Sequence, residues 1–180
     1  LKIPLLSTIL YSKKKSNLVV LEQGKSGIAE GFRSLRANIR FINPNDKQLT
    51  LMVTSTISGE GKTFCAMNLA SVYSLTGKRT LLVGCDMRKP RIFQDFGIVN
   101  DVGLSTYLSG QISDWRETVN KTAYEKLEIL LSGPIPPNPA ELLFTNRFEE
   151  MINQMKQEYD VVILDTPPVG LVSETLDLLP

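Results

Sequence analysis

Four short apolar runs organise the sequence, at residues 49–53, 80–83, 127–131 and 161–164. Each is rich in leucine, isoleucine or valine and ends at a small or polar residue, which is the pattern of a buried strand. Stretches long enough for helices lie between them, so strands and helices alternate along the chain. This alternation predicts an α/β fold with a doubly wound, mostly parallel sheet flanked by helices. Four strands are few for this architecture, so we expect the chain to be truncated from a longer protein.

The first predicted helix spans residues 26–41, with Ser26 as its N-cap and Pro44 shortly after its end. Its apolar residues recur at the spacing of one helix face: Ile28, Phe32, Leu35 and Ile39. A second stripe is charged and has a spacing of three: Glu30, Arg33 and Arg36. Spacing alone favours a solvated face with an internal ion pair, and a contact between subunits is the alternative.

The N-terminal region, residues 1–25, is predicted to be an extended arm, and residues 26–180 to be one globular domain. The arm carries three consecutive lysines at residues 13–15, which are typical of a solvated segment or, less often, of a contact with acidic lipid. Residues 97–126 are predicted to be a mixed insert in which Trp115 is a packing anchor.

The composition excludes several classes of function. The chain has 180 residues, a net charge of +1 and no histidine, so catalysis and metal sites that need histidine are excluded within it. The balanced charge does not favour nucleic acid as a partner. Both cysteines, Cys65 and Cys85, lie in apolar segments and are predicted to be buried thiols of a reducing compartment. No run reaches 18 apolar residues, so no membrane-spanning helix is predicted.

The apolar run at residues 49–53 leads into a loop that ends in Gly61-Lys62-Thr63, followed by a predicted helix with Gly77 as its stop. A strand, a glycine-containing loop and Gly-Lys-Thr at a helix start are the context of a phosphate-binding P-loop. The helix N-terminus attracts an anion, and glycines let the backbone curl around a phosphate. In such a loop Lys62 binds the β- and γ-phosphates, while the Thr63 hydroxyl binds Mg²⁺.

Two acidic residues follow later strands. Asp86 comes shortly after the second apolar run, and Asp165 directly follows the fourth. Ligands of open α/β sheets bind at the carboxyl ends of the strands, so both acids are candidates for the same site as the P-loop. Asp165 has the position of a Walker B acid, which helps to hold Mg²⁺. The alternative is that each aspartate only caps a turn before a proline.

Several motifs in order resemble the cytoplasmic catalytic domain of bacterial tyrosine kinases, the autokinases of capsular and exopolysaccharide synthesis. The motifs are Ser58-Gly-Glu-Gly-Lys-Thr, Asp86-Met-Arg-Lys-Pro, Asn138-Pro-Ala-Glu-Leu-Leu and Ile163-Leu-Asp-Thr-Pro-Pro, together with the Glu-x-x-Arg-x-x-Arg segment at residues 30–36. The resemblance covers the chain from about residue 3 to residue 180.

The resemblance implies a role for each matching residue. The catalytic residues would be Lys62, Asp86 and Asp165, and Thr63 and the two aspartates would lie at Mg²⁺. ATP would be bound by the loop and the start of the helix, that is by Ser58, Gly59, Glu60, Gly61, Lys62, Thr63 and Phe64. Glu30, Arg33 and Arg36 would form the contact of a ring-shaped homo-oligomer whose subunits phosphorylate each other. The resemblance therefore favours a subunit contact over a solvated face for the charged stripe.

The resemblance also implies partners and a location. We expect a membrane anchor or polysaccharide co-polymerase segment, fused or separate, polysaccharide assembly proteins, and the cytoplasmic side of the bacterial inner membrane. Two differences from the family pattern matter: Gly84 replaces the first of two aspartates, and the tyrosine-rich tail of the family is not within the chain. Gly84 leaves a nucleotide-binding assembly module with weak or no kinase activity as an alternative. A partition-type ATPase switch is disfavoured, since Ile57 stands where that branch has a second lysine.

Overall fold

The computed structural model describes residues 4–11, 16–42 and 48–169. The α-helices are α1 (Val19–Glu22), α2 (Gly27–Ile42), α3 (Lys62–Ser74), α4 (Ile92–Phe96), α5 (Leu104–Leu108), α6 (Pro139–Leu143) and α7 (Asn146–Glu158). A 3₁₀ helix spans Trp115–Thr118, and the strands are β1 (Leu49–Val53), β2 (Thr80–Gly84), β3 (Val119–Lys121), β4 (Leu127–Leu130) and β5 (Val161–Asp165). The predicted α/β fold is confirmed.

The strands form one five-stranded sheet in the order β1-β5-β2-β4-β3. The first four in this order run parallel, and β3 pairs antiparallel with β4 at the edge. The count of four strands was wrong for the described residues, because β3 lies within the predicted insert. Its sequence, Val119-Asn120-Lys121, contains no apolar run. An edge strand need not be buried on both faces, so the hydrophobic pattern did not reveal it.

Each central strand is buried on both faces of the sheet, which explains its continuous apolar sequence. On one face Leu82 and Ile163 pack with residues of α2 and α3. On the other face Leu81 and Val162 pack with residues of α5 and α7. Helices therefore cover both sides of the sheet, as the doubly wound prediction requires. Trp115 is fully buried in the second core and donates to Gln154, so it is a packing anchor as predicted.

The N-terminal arm is only partly extended. Residues 19–22 form α1, and Leu18, Val19 and Val20 are buried against the domain. Asn68 of α3 holds this segment: its side chain accepts from the N–H of Val20 at 2.9 Å and donates to the carbonyls of Asn17 at 2.7 Å and Phe64 at 2.8 Å. The prediction of an extended arm was therefore wrong for residues 18–22, since residues 19–22 are helical and residues 18–20 are buried.

Helix α2 follows its sequence pattern closely. The Ser26 hydroxyl accepts from the N–H of Ala29 at 3.2 Å, as expected of the N-cap. Phe32 is fully buried, and the other residues of its stripe pack against the same core. Pro44 and the lysines at residues 13–15 lie outside the described residues. Within the described ranges, no helix has both the length and the apolar character needed to cross a membrane.

Candidate functional site: the phosphate-binding loop and its acidic partners

Strand β1 ends at Val53, and the loop that follows turns into α3 at Lys62. Gly59 and Gly61 have φ values of 92° and 88°, in the left-handed region that side chains with a Cβ rarely adopt. These two glycines therefore turn the chain back toward the sheet. No side chain caps the N-terminus of α3, so the first turn keeps its positive end available to an anion.

The loop lysine lies in an ion pair. The Lys62 Nζ is 2.9 Å from Asp86 Oδ2, and both side chains are about nine-tenths buried, with 12% and 11% exposed. Asp86 follows β2, so the parallel pairing of the sheet carries it to the edge where the loop lies. Its other oxygen accepts from the N–H of Lys89 at 3.2 Å. Asp86 therefore does cap the turn before Pro90, and it also contacts the P-loop lysine.

Asp165 is the last residue of β5 and is buried, with 2% of its surface exposed. Its Oδ2 accepts from the Thr63 hydroxyl at 2.8 Å, so the P-loop threonine and the predicted Walker B acid are in direct contact. Its Oδ1 is buried and has no hydrogen-bond partner. Burial raises the pKa of this carboxyl to about 6, although the Thr63 hydrogen bond and the Lys62 charge act in the opposite direction.

An orphaned, buried carboxylate oxygen beside a threonine hydroxyl suits Mg²⁺, which prefers hard oxygen ligands. No group of three or more His, Cys, Asp or Glu side chains in the described part of the chain could hold a metal by itself. A magnesium ion at Thr63 and Asp165 would therefore take its remaining ligands from nucleotide phosphates and water. This is the usual arrangement for Mg²⁺ in phosphoryl-transfer sites.

Gly84 lies beside these acids. It pairs with Asp165 across the β2–β5 ladder and lines a small pocket with Asp86, Asp165 and Ser132. A Cβ built on Gly84 would stand 3.2 Å from the Ser132 nitrogen and 3.4 Å from Ile92 Cδ1. A larger residue is therefore crowded here but not blocked. Sequence reasoning missed Ser132, although its position just after β4 obeys the same rule that identified Asp86.

Phe64 was predicted to bind nucleotide, and its side chain faces the core. Its ring lies 5.8 Å from that of Phe32. Any contact of this residue with a phosphate would therefore come from its backbone N–H. The two other predicted loop residues, Ser58 and Glu60, are exposed at the loop surface.

The two cysteines are free and flank the site in sequence. Cys85 is buried and Cys65 is partly buried. Burial raises the pKa of both thiols, and the neighbouring Asp165 charge raises each of them further. Both thiols are therefore protonated at neutral pH, and the predicted burial is confirmed for Cys85 and only in part for Cys65.

The charged stripe of α2 contains the internal ion pair that spacing predicted. Arg33 Nη1 lies 2.7 Å from Glu30 Oε2, and Arg33 also donates to the carbonyl of Gly24. Arg36 donates to the carbonyl of Val72 at 3.3 Å, which fastens α2 to α3. The Glu30 side chain is 69% exposed and that of Arg33 is 38% exposed, so the pair stays accessible to a second molecule. The subunit contact remains a prediction.

The sequence is similar to known proteins over most of its length. The sequence profile of the AAA domain family matches residues 50–176. The putative tyrosine-protein kinase CapB of Staphylococcus aureus is 36% identical over 166 residues, which are 91% of this chain and 72% of CapB.

Two solved structures are similar in fold. The crystal structure of the chimerical protein CapA2B2 superposes with a TM-score of 0.86 at 41% identity, covering 95% of this chain and 74% of that one. The kinase domain of the Escherichia coli tyrosine kinase ETK superposes with a TM-score of 0.90 at 27% identity, covering 98% of this chain and 73% of that one. The similarity thus extends over nearly the whole chain, and the match to the AAA domain family spans the loop and both aspartates.

Proposed function

The chain belongs to the family of bacterial tyrosine-protein kinases, and we propose that it transfers the γ-phosphoryl group of ATP to tyrosines of a neighbouring copy of itself. The convergence of four side chains supports this proposal. Two contacts, Lys62–Asp86 and Thr63–Asp165, lie at the carboxyl ends of β2 and β5. The loop beside them takes its turns from Gly59 and Gly61. That edge of the sheet is where open α/β folds bind nucleotides.

Phosphoryl transfer requires the protein mainly to position groups and neutralise charge. The N–H groups of the loop and of the first turn of α3 would bind the phosphates, with the Lys62 ammonium at the β- and γ-phosphates. Thr63, Asp165 and Asp86 would hold Mg²⁺. When bound, this ion spreads the negative charge that develops on the transferred group.

Asp86 is the candidate base for the acceptor. In the nucleotide-free form it is paired with Lys62, and an incoming triphosphate offers Lys62 a competing anion. Lys62 would then release Oδ2 of Asp86, and this oxygen can accept the proton of a tyrosine hydroxyl as the tyrosine oxygen bonds to the γ-phosphorus and ADP leaves. A tyrosine hydroxyl has a pKa near about 10, so a carboxylate base can suffice.

The wider context of the reaction follows from the family. We propose that subunits assemble into a ring through Glu30, Arg33 and Arg36, so that each site faces a tyrosine of its neighbour. A relative from Klebsiella pneumoniae is named a putative tyrosine-protein kinase in cps region, and this name supports our proposal that the process is capsular or exopolysaccharide synthesis and export. An inner-membrane anchor or co-polymerase segment, fused or separate, would hold the domain on the cytoplasmic side, together with polysaccharide assembly proteins.

The test is an ATP and Mg²⁺ assay of the cytoplasmic region in its full-length protein, read by anti-phosphotyrosine blot. Wild type is compared with Lys62→Met, which keeps the length of the side chain and removes its charge. We expect phosphotyrosine in the wild type and none in Lys62→Met, and a decrease of about two orders of magnitude or more in Asp86→Asn. Full activity of Lys62→Met would refute the proposal.

Gly84 supports a second candidate function. If the family's first aspartate assists the tyrosine hydroxyl, a chain with glycine at this position would bind ATP without efficient transfer. The domain would then be a nucleotide-dependent assembly module for polysaccharide export. ATP binding together with the absence of phosphotyrosine in the wild-type assay would favour this second function.

A further inference from the structure

Glu60 is an acidic residue inside a loop that is built to bind an anion. Its Oε2 accepts two backbone hydrogen bonds from the start of the same loop, from the N–H of Thr56 at 2.7 Å and of Ile57 at 3.2 Å. The side chain thereby ties the end of the loop to its beginning. A further bond within the loop runs from the Ser55 hydroxyl to the carbonyl of Ile57 at 2.8 Å.

The contacts of this carboxylate matter because the N-terminus of α3, a site for an anion, is close to Glu60 in sequence. The N-terminus of α3 begins two residues after Glu60 and has no side-chain cap. A carboxylate at a helix N-terminus is favourable, so Glu60 could itself have occupied the place where a phosphate binds. Its Oε2 instead bonds to the amides of Thr56 and Ile57, which lie outside α3.

These contacts also explain how the loop does without its usual first glycine. The general P-loop pattern has glycine at the position of Thr56. No non-glycine residue in the described ranges has a positive φ, so Thr56 needs no glycine-like backbone. The backbone of the loop turns at Gly59 and Gly61. The Glu60 carboxylate then links the end of the loop to its start, at Thr56 and Ile57.

We propose that Glu60 is a positioning residue for nucleotide binding, which braces the phosphate-binding loop and keeps its own charge away from the phosphates. This proposal rests on the nucleotide-binding role proposed above. It assigns to the side chain of Glu60 a task distinct from the phosphate contacts of the backbone around it. Two contributions follow, since the brace strengthens nucleotide binding while the charge itself opposes it.

A pair of variants separates these contributions. Glu60→Gln removes the charge and keeps an oxygen acceptor of the same reach, whereas Glu60→Ala removes both. We expect Glu60→Gln to bind ADP with Mg²⁺ as tightly as the wild type or more tightly. We expect Glu60→Ala to bind about fivefold or more weakly than Glu60→Gln, because without these two bonds the free loop leaves its binding geometry and a smaller fraction of it can bind nucleotide.

The measurement is the Kd of fluorescent ADP with Mg²⁺, together with amide hydrogen exchange of Thr56 and Ile57 without nucleotide. Faster exchange at both amides in Glu60→Ala than in Glu60→Gln supports the brace directly. Equal Kd values or equal exchange rates for the two variants would overturn it. Glu150→Ala, an exposed charge change on α7, is the control, and an equal loss of affinity there would also overturn the proposal.

The outcome is independent of kinase activity. Absence of phosphotyrosine in the wild type, with the expected order of Kd values, would refute transfer to tyrosine and leave the brace supported. Normal phosphotyrosine with identical Glu60→Ala and Glu60→Gln affinities would refute the brace and leave the kinase supported.

Discussion

Replacing Asp165 with asparagine should stabilise the protein in the absence of metal and nucleotide. The carboxyl is almost fully buried, its Oδ1 has no hydrogen-bond partner, and its pKa is raised to about 6 from 3.8, chiefly by burial. The folded state therefore has to bury a charge that the unfolded state solvates. Asparagine has nearly the same shape and still offers Thr63 an oxygen acceptor.

The magnitude follows from the linkage between pKa and stability. Between pH about 4 and about 6 the folded form binds more protons than the unfolded form, so its free energy of unfolding falls as the pH rises through this window. One pH unit is worth about 1.4 kcal/mol, which gives a loss of about 3 kcal/mol above the window. The asparagine N–H₂ group would itself lack a partner at some cost, so we expect Asp165→Asn to gain about 1 to 3 kcal/mol at pH 7.

The assay is urea unfolding of wild type and Asp165→Asn in EDTA, without nucleotide, at several pH values between 3.5 and 7.5. Below pH about 4 the variant should match the wild type or be less stable by up to about 2 kcal/mol, and between pH about 4 and about 6 the difference should shift by about 3 kcal/mol in favour of the variant. A variant that is less stable than wild type at pH 7, or a difference that does not change with pH, would refute the reasoning. With ADP and Mg²⁺ added, the wild type should become the more stable of the two proteins, because only the wild type keeps the carboxylate that would hold the metal.

Two further substitutions test neighbouring parts of the structure. Asn68→Ala removes one acceptor and two donor bonds from a fully buried site, so it should lower the free energy of unfolding by about 2 to 4 kcal/mol and expose residues 17–22 to protease. Gly84→Asp should increase autophosphorylation by about tenfold or more, since it supplies a second carboxylate beside Asp86. It should also lower the melting temperature, because its Cβ would approach the Ser132 nitrogen to 3.2 Å.

Each of these two predictions has a control. For Asn68 the matched change is Asn153→Ala on the exposed side of α7, and an equal loss of stability there would contradict the special role of Asn68. For Gly84 the control is Gly84→Asn, which has the size of aspartate without its basicity. Equal rates in Gly84→Asp and Gly84→Asn would show that position 84 acts by packing alone.

The sequence by itself determined the features whose physics is local. A strand, two glycines and a helix start suffice to predict a phosphate-binding loop, because the left-handed turns and the free N–H groups lie within a few residues of each other. The same holds for the Ser26 cap of α2 and for the apolar stripe that buries Phe32. Asp86 and Asp165 could be nominated because they follow apolar runs that only a buried strand explains.

Only the tertiary structure decided which residues meet. Strand β5 comes last among the strands of the described residues yet lies between β1 and β2, and this order brings Asp165 to Thr63, 102 residues away in sequence. No periodicity encodes that order, since it depends on how the helices pack on both faces of the sheet. The docking of residues 18–22 through Asn68, and the edge strand β3, escaped prediction for the same reason.

The structure also decided the electrostatics of the site. A sequence shows that Lys62, Glu60 and the two aspartates are charged, but desolvation depends on the surrounding packing. Burial raises the pKa of Asp165, pairing fixes Lys62 on Asp86, and the Glu60 carboxylate accepts from the amides of Thr56 and Ile57. The residues of the site were therefore readable from the sequence, whereas their charge states and contacts follow from the three-dimensional arrangement of the chain.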